Sequence, residues 1–412
     1  MEKKLNLGVI YGSRSCEHEV SIISAVQMMH AADPEKYNII PIYISTKGLW
    51  YTGTPLLDME TYRPFKPEKP GITQVWLDMT PGSGALLKLE QGGKLFHGDK
   101  VTCVARVDVF VPVMHGMHGE DGTLQGMLEM ANMPYTSAGV GGSAIGMDKI
   151  LMKEFFLGAG FPTLPGLWFH RQRWEREQDE VLNEIEAALP YPVYVKAACL
   201  GSSIGVTRAE NREKLIEAMN IGLDFDHRVL VEKGLTKPIE LNCSVVGYGE
   251  DAEASVLEMP NTNGDMLSFA EKYLTTGASK GMASLKRLVP APIEPELTKK
   301  IQELSVRIFK AMDCKGVVRI DYMFDTPTGE LYITEINTIP GSLAFYLWQA
   351  GGLSYAKLID RMVDCALKAH EEKNASNYAY TSDILKGVSF GGKAGGKLGG
   401  KLGGKLGGKN NA

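Results

Sequence analysis

Four polar residues towards the C-terminus have the spacing of a shared metal site. Arg319 and Asp321 lie two apart in VVRIDYMFD, and Glu335 and Asn337 lie two apart in ITEIN. Side chains two apart on a β-strand share a face, and the intervening DTPTGE is typical of a turn. A hairpin centred near Thr328 would therefore place Asp321 opposite Glu335 and Arg319 opposite Asn337. Two carboxylates and an amide oxygen beside a guanidinium suit Mg²⁺ held together with substrate phosphates. The alternative is a solvated strand face with an ordinary salt bridge.

A second segment, KAACLGSSIGV at 196–206, has residues that could bind phosphate. Backbone amides and hydroxyls of Gly201, Ser202 and Ser203 can surround phosphate oxygens while Lys196 supplies positive charge. The segment lacks the GxxxxGK[ST] pattern of a Walker A loop, and an ordinary hairpin is the alternative.

Three further segments contain candidate substrate-binding groups. In HGMHGEDGTLQG, glycines flank His115 and His118 and no third ligand is evident, so placement of a small polar substrate is favoured over zinc. Glu17 lies at the mouth of the first predicted strand, where α/β sheets commonly bind ligands, although a carboxylate there could instead cap the next helix. The glycine of NTIPGS would leave backbone N–H groups available to an oxyanion.

The elements that must position these residues begin with a doubly wound α/β domain, predicted over 1–138. Three apolar strands are predicted at 5–12, 37–45 and 107–116, and a helical pattern in SIISAVQMMHAAD lies between the first two. Residues 48–100 are rich in Pro, Gly and Thr with little periodicity, which predicts an insertion with one or two short elements.

Two further domains and a tail are predicted beyond residue 138. A glycine-rich connection, PYTSAGVGGSAIGM at 134–147, spans the boundary near 138. Within 139–232, strands and helices then alternate, among them one charged helix RWEREQDEVLNEIEAAL. That order is typical of a small α+β unit with antiparallel strands. Residues 233–373 add two strands, a long helix, the hairpin and a closing helix. Residues 374–412 end in period-four Gly/Lys repeats, which cannot bury a core and should be disordered.

The composition narrows the class of protein further. The chain has 412 residues, 44% of them hydrophobic and 23% charged, and its net charge of −5 gives no basic field for nucleic acid or anionic lipid. No segment has the pattern of a membrane span or signal peptide, so we expect no membrane association and a cytoplasmic location. The six cysteines show no CxxC pairing and are interpreted as buried thiols of a reducing compartment.

With these motifs in view, the chain resembles the D-alanine–D-alanine ligases of the ATP-grasp superfamily. The resemblance runs from about 5 to 370 and is carried, in the family's order, by CEHEVS, HGMHGEDGTLQGMLE, PYTSAG, MDK, VKAACLGSSIGV, EKYL, VVRIDYMFD and ITEINTIPGS. It covers the insertion at 48–100 poorly. It implies an α/β, three-domain ATP-grasp fold with ATP between the central domain, 139–232, and the C-terminal domain, 233–373.

The resemblance also implies roles for individual residues. It assigns two phosphate-binding lysines, an adenine and ribose site, a lid lysine beside a lid tyrosine, a trio that positions the first D-alanine, and an oxyanion site formed by an arginine and a glycine amide. The residues assigned to ATP are Lys149, Lys196, Ser203, Glu232, Lys233, Leu235, Glu240 and Lys272. Those assigned to Mg²⁺ or Mn²⁺ are Asp321, Glu335 and Asn337. Those assigned to catalysis are Glu17, Ser202, Tyr273, Arg319 and Gly341, and to substrate His115, Ser342 and Tyr346.

The implied reaction has two steps, and the sequence departs from the family where the second substrate binds. A D-alanine carboxylate attacks the γ-phosphate of ATP, and the amine of a second D-amino acid then attacks the acyl phosphate. Ala197 stands where the family usually has proline. PGSLAFYLW places Tyr346 where a serine usually binds the acceptor carboxylate, so Ser342 or Tyr346 could substitute. The retained Tyr273 favours an amine acceptor over D-lactate.

Three alternatives are weighed against this interpretation. A D-alanine–D-serine ligase differs only in the acceptor. A nucleotide-binding regulatory protein on the same fold would be expected to have lost one of Asp321, Glu335, Asn337 or Arg319, and all four are present. An NAD-dependent dehydrogenase is disfavoured because YGSRSCE lacks GxGxxG. The family also implies a homodimer.

Overall fold

The computed structural model describes residues 3–92, 98–201, 205–260 and 287–377. The described residues up to Lys373 form one compact unit. The tail predicted to be disordered lies almost entirely outside the described residues. The division of the large unit into three domains stays a prediction. None of the described helices is long and apolar enough to cross a lipid bilayer.

A seven-stranded sheet forms the N-terminal part, and its three parallel strands are covered on both faces. Helix α1 (His18–Ala31) packs against Val9 and Tyr11 of one face, whereas α2 (Thr123–Met130) packs against Ile10 of the other. This arrangement confirms the doubly wound prediction. The strand order is β6-β5-β4-β3-β2-β1-β7, with β1 parallel to β2 and β7. The strands are β1 Leu5–Gly12, β2 Tyr37–Ile44, β3 Trp50–Thr52, β4 Thr73–Leu77, β5 Ala85–Glu90, β6 Lys100–Arg106 and β7 Val109–Pro112.

The insertion at 48–100 contains more structure than its sequence predicted. Strands β3, β4 and β5 lie within it, together with two 3₁₀ turns at Thr54–Leu57 and Met59–Thr61. The expectation of one or two short elements was therefore wrong. The strands are too short to show a clear periodicity in the sequence, but each pairs antiparallel with a neighbouring strand of the sheet. Tertiary pairing stabilises short segments whose own periodicity is weak.

A four-stranded antiparallel sheet follows, with the order β10-β9-β11-β8, as its sequence predicted. Its strands are β8 Gly166–His170, β9 Val193–Ala197, β10 Val206–Ala209 and β11 Arg228–Lys233. Two expectations were wrong. The glycine-rich connection forms a helix, α3 (Val140–Met147), followed by α4 (Lys149–Gly158). The single charged helix is interrupted at Glu177 and forms α5 (Arg171–Arg176) and α6 (Gln178–Ala188). Helix α7 (Arg212–Phe225) completes this layer.

Among the described residues, the C-terminal sheet has five strands in the order β14-β13-β12-β15-β16. The strands are β12 Pro238–Tyr248, β13 Asp251–Pro260, β14 Arg287–Leu288, β15 Lys315–Asp325 and β16 Glu330–Asn337. The amphipathic helix α8 (Pro295–Ala311) buries Ile301, Leu304 and Ile308 against this sheet. A 3₁₀ turn at Gly341–Ala344, α9 (Phe345–Ala350) and α10 (Tyr355–Ala375) follow β16.

All six cysteines are free thiols, but they are not all buried. Cys243, Cys314 and Cys365 lie in the interior, whereas Cys16 and Cys103 are exposed. The expectation of buried thiols is therefore wrong at these two positions, which lie in a loop and on the edge strand β6.

Candidate active site

The predicted hairpin register is confirmed at the proposed metal ligands. Arg319 pairs with Asn337 and Asp321 pairs with Glu335 across β15 and β16. All four are half-buried, whereas the alternating residues of both strands are buried in the core. The register shifts by one residue between Asp321 and Tyr322, so that Thr334 bulges out of β16 and donates a hydrogen bond to the Asp321 carbonyl at 2.9 Å.

Asp321 is tied to two of its neighbours on this face. Arg319 donates from Nε and Nη2 to the two carboxylate oxygens, both at 2.6 Å, and the Asn337 amide donates to Oδ2 at 3.1 Å. Burial alone would lower the pKa of Arg319, but the Asp321 carboxylate outweighs burial and raises that pKa. The described residues contain no cluster of three His, Cys, Asp or Glu side chains suited to a metal. The donor set of two carboxylates and one amide oxygen fits Mg²⁺ that completes its shell with substrate oxygens.

Two lysines neutralise Glu232 at the other predicted part of the site. Lys196 on β9 lies 2.5 Å from one carboxylate oxygen of Glu232 on β11, and Lys153 on α4 lies 2.7 Å from the other. Burial alone would raise the pKa of Glu232, but the two cations outweigh it and lower the pKa to about 2. The group therefore stays ionised and keeps Lys196 in place and charged.

A small cavity of about 30 Å³ adjoins this ion pair. Lys196, Glu232, Lys233 and Leu235 line it, so four of the residues assigned to ATP converge there. Glu240 lies on β12 opposite Met323, which lines the same cavity.

Lys149 reaches the loop that follows β9. Asp148 caps α4 by accepting from the amides of Ile150 and Leu151, which fixes Lys149 as the first helical residue. The Lys149 amine donates to the Leu200 carbonyl at 2.5 Å. The remaining predicted residues of the loop and lid lie outside the described residues: Ser202, Ser203, Lys272 and Tyr273.

The buried carboxylate of Glu17 lies between two glycines from different parts of the chain. A Cβ atom at Gly116 would approach Glu17 Oε2 to 2.7 Å, and one at Gly201 would approach it to 2.8 Å. Glu17 stands at the start of α1, yet its side chain accepts no capping hydrogen bond. Glu17 thus makes no capping hydrogen bond to α1, and it lies against Gly201, the residue before Ser202.

His115 connects α1 to the segment after β16. Its Nδ1 lies 3.0 Å from the Ile339 carbonyl, which can only accept, so this nitrogen carries the proton. Its Nε2 lies 3.0 Å from the Ser24 hydroxyl, which in turn accepts from the Ser342 amide at 3.0 Å. Burial lowers the pKa of His115 to about 4, with a smaller contribution from Arg319. The imidazole is thus neutral and orients the turn that contains Gly341.

The two hydroxyls considered for the acceptor carboxylate both have partners within the protein. The Ser342 hydroxyl donates to Gln27 at 2.8 Å, and the Tyr346 hydroxyl donates to buried Glu258 at 2.6 Å. Arg287 pairs with Glu258 at 3.2 Å and lies 4.1 Å from the centre of the Tyr346 ring. Their proposed role in acceptor binding stays a prediction.

Sequence reasoning missed two residues of this site, Lys153 and Glu120. Lys153 lies one helical turn after Lys149, a spacing that could have signalled it. Glu120 belongs to the HGMHGEDG motif, of which only the histidines were considered. Its carboxylate accepts from the amides of Gly116 at 2.8 Å and Ile339 at 3.1 Å. Burial, together with Glu17, raises its pKa to about 8.

The three sheets and the grouping of lysines and carboxylates between them define the class of protein. Its fold is that of the ATP-grasp enzymes, as predicted, and two solved structures share it. The D-alanine–D-alanine ligase from Coxiella burnetii superposes with a TM-score of 0.72 at 25% identity, covering 90% of this chain and 96% of that one. VanG D-Ala:D-Ser ligase from Enterococcus faecalis superposes with a TM-score of 0.73 at 29% identity, covering 88% and 100%.

Sequence comparison identifies the family. Models described as D-ala D-ala ligase N-terminus and C-terminus match residues 6–138 and 155–364. The D-alanine–D-alanine ligase of Heliobacterium modesticaldum is 37% identical over 90% of this chain and 96% of its own length. That of Thermosipho melanesiensis is 38% identical over 90% and 95%. The chain belongs to the D-alanine–D-alanine ligase family, which confirms the resemblance.

Proposed function

We propose that this protein joins two D-alanine molecules in an ATP-dependent reaction that forms ADP and phosphate. The observation that carries the proposal is the pairing of Arg319 with Asn337 and Asp321 with Glu335 on one sheet face. The family supports a cytoplasmic enzyme that acts as a homodimer and supplies the dipeptide to peptidoglycan synthesis.

In the first step, a D-alanine carboxylate oxygen attacks the γ-phosphorus of ATP, the bond to the β-phosphate oxygen breaks, and ADP leaves. Lys196 and Lys149 would hold the phosphates, and the Glu232 ion pairs with Lys153 and Lys196 keep this charge positioned. Asp321, Glu335 and Asn337 would hold Mg²⁺, which when bound neutralises phosphate charge.

In the second step, the neutral amine of the acceptor attacks the acyl carbon, the bond to the phosphate oxygen breaks, and phosphate leaves with the proton that the nitrogen gives up. Arg319 and the Gly341 amide would stabilise the oxyanion that forms on the carbonyl oxygen. Within the described part of the chain, the Gly341 amide donates to no other group. The network from His115 through Ser24 to the Ser342 amide would keep it oriented.

The experiment that tests this proposal measures phosphate release from ATP and Mg²⁺ with D-alanine alone, then with D-serine or D-lactate added. Products are identified by mass. We expect D-alanyl-D-alanine as the main product, because the curated relatives are D-alanine–D-alanine ligases and this chain matches nearly their full length.

Two other outcomes would replace the proposal. A mixed dipeptide with D-serine as the main product would indicate the acceptor named for the VanG structure, which this chain resembles in fold. ATP binding without turnover under any of these conditions would instead favour a nucleotide-binding regulatory protein.

A further inference from the structure

A cavity of about 500 Å³ lies apart from the candidate active site. Helices α2, α3, α4, α8 and α10, the last residue of β12 and the first residue of β15 line it on one side, and it opens to solvent on the other. No residue assigned to ATP, metal or substrate lines it. Val140, Ile145, Phe155 and Met312 give it an apolar wall. Its volume is within the range of cavities that bind small organic molecules.

Lys315 places a largely desolvated amine in this cavity. Its Nζ lies 3.6 Å from the centre of the Tyr135 ring, and among the described residues it forms neither a hydrogen bond nor an ion pair. Burial lowers the pKa of Lys315 to about 8, although Glu129 and Asp313 oppose the shift. A cation–π contact compensates only part of the lost hydration of an ammonium group.

The other charges around the cavity largely balance one another. Glu129 forms an ion pair with Lys373 and accepts from the Tyr135 hydroxyl at 2.7 Å. Asp313 is exposed at the rim. Lys315 is therefore the cation that can pair with one negative charge on a ligand. A second negative charge on the ligand would be repelled by Glu129 and Asp313.

The start of α3 supplies further hydrogen-bond donors along the same wall. The amides of Val140, Gly141 and Gly142 belong to the first helical turn and have no acceptor among the described residues. A Cβ atom at Gly141 would have no neighbour within 4 Å, so space is available beside these amides.

We propose that this cavity binds a small organic acid with one carboxylate and an apolar body. The carboxylate pairs with Lys315 and accepts from the first-turn amides of α3. The apolar body packs on Val140, Ile145 and Phe155. The cavity is larger than an inorganic anion requires, and the nearby acids select a single negative charge over a phosphate dianion.

The test uses 3-phenylpropionate as the probe, titrated into the full-length protein by isothermal calorimetry. Its neutral analogue 3-phenylpropanol is titrated in parallel. The acid should bind with a dissociation constant of about 1 mM or below, and the alcohol at least about tenfold more weakly because it cannot pair with Lys315. Equal affinity for the two probes would overturn the proposal, as would no binding of the acid.

Variants locate the bound probe. Lys315→Met should weaken binding of 3-phenylpropionate by about tenfold or more. The matched control is Lys310→Met, because Lys310 pairs with Glu250 on the surface and does not line the cavity. Gly141→Leu should also abolish binding by filling the space beside α3 without touching Lys315. Binding that survives both Lys315→Met and Gly141→Leu belongs elsewhere, for example at the ATP site, and would overturn the proposal.

Discussion

Asp321 and Glu335 differ in what their removal would disturb. Asp321 holds the Arg319 guanidinium through both of its oxygens, at 2.6 Å each. Replacing Asp321 would therefore leave the half-buried Arg319 guanidinium without its counter-charge, a change that destabilises proteins irrespective of metal binding. Glu335 is half-buried and lies opposite Asp321, and its replacement leaves the ion pair between Arg319 and Asp321 intact. A substitution at Glu335 therefore tests the metal assignment without unpairing Arg319.

Glu335→Gln should abolish Mg²⁺-dependent ADP formation, because a neutral amide replaces the carboxylate that would bind the metal ion. The protein should stay folded, because the two side chains have nearly the same size. Turnover is measured over a Mg²⁺ titration, and folding by circular dichroism. Glu330→Gln is the matched control, since Glu330 is exposed on the same strand near the turn. Undiminished activity of Glu335→Gln at low Mg²⁺ would refute the assignment.

His115 should make the protein sensitive to acid. Its pKa is about 4 in the folded state, against about 6.5 in an unfolded chain, so the unfolded state binds more protons between these values. The contribution of His115 to the free energy of unfolding is therefore fully present above about pH 6.5. It is lost as the pH falls to about 4, and the loss amounts to about 3 kcal/mol.

The measurement compares urea unfolding of wild type and His115→Gln between these pH values. The variant should lose less stability on acidification, whereas His30→Gln, which changes an exposed histidine of the same chain, should behave as wild type. Parallel pH profiles for wild type and His115→Gln would contradict the prediction.

Among the secondary-structure elements, the bulge in β16 decides which residues face the site. From Tyr322 to Asp325 the hairpin pairs Tyr322 with Ile333 and Asp325 with Glu330, a register that would set Asp321 opposite Thr334 if it continued. The bulge at Thr334 moves Glu335 into that place instead. Because a one-residue slip turns every side chain to the other face, this single residue keeps Glu335 and Asn337 beside Asp321.

Thr334→Val should reduce activity by loosening this bulge, since it removes the hydrogen bond from the Thr334 hydroxyl to the Asp321 carbonyl. The expected loss of stability is about 1 kcal/mol, with a larger relative fall in kcat than in ATP affinity. Thr334→Ser keeps the hydroxyl and serves as the control. Equal kinetics for the Val and Ser variants would show that the hydrogen bond does not hold the register.

At the scale of the whole molecule, the site depends on contacts between distant parts of the chain. Ser24 on α1, His115 after β7 and Ser342 after β16 form one hydrogen-bonded chain. Glu120 adds a second connection between the same regions through Gly116 and Ile339. The three residues from Ser342 to Ala344 have φ values of 49°, 55° and 51°, a left-handed run that costs energy for residues other than glycine. Such strain persists only where surrounding contacts hold it.

Ser24→Ala should relax this turn, because it removes the partner of both His115 and the Ser342 amide. We expect a loss of about 1–3 kcal/mol in stability and a marked fall in turnover. A double-mutant cycle with His115→Gln measures the interaction energy between Ser24 and His115, which should reach about 1 kcal/mol. Additive effects of the two substitutions would mean that the hydrogen bond carries no coupling.

The amino-acid sequence alone determined the family, the order of most elements and the faces of the two hairpin strands. Alternation with period two is a local property, so VVRIDYMFD and ITEIN predict which residues share a face. Likewise, the buried strands at 5–12, 37–45 and 107–116 predict the doubly wound sheet because apolar runs must be covered on both sides.

Tertiary structure decided what depends on residues distant in the chain. The bulge at Thr334 sets the register, the helical spacing of Lys153 only becomes meaningful once α4 lies beside β11, and His115 acts through Ser24 and Ile339. The strands of 48–100 form because neighbouring strands pair with them. These features follow from long-range packing and hydrogen bonds, whose partners no local pattern specifies.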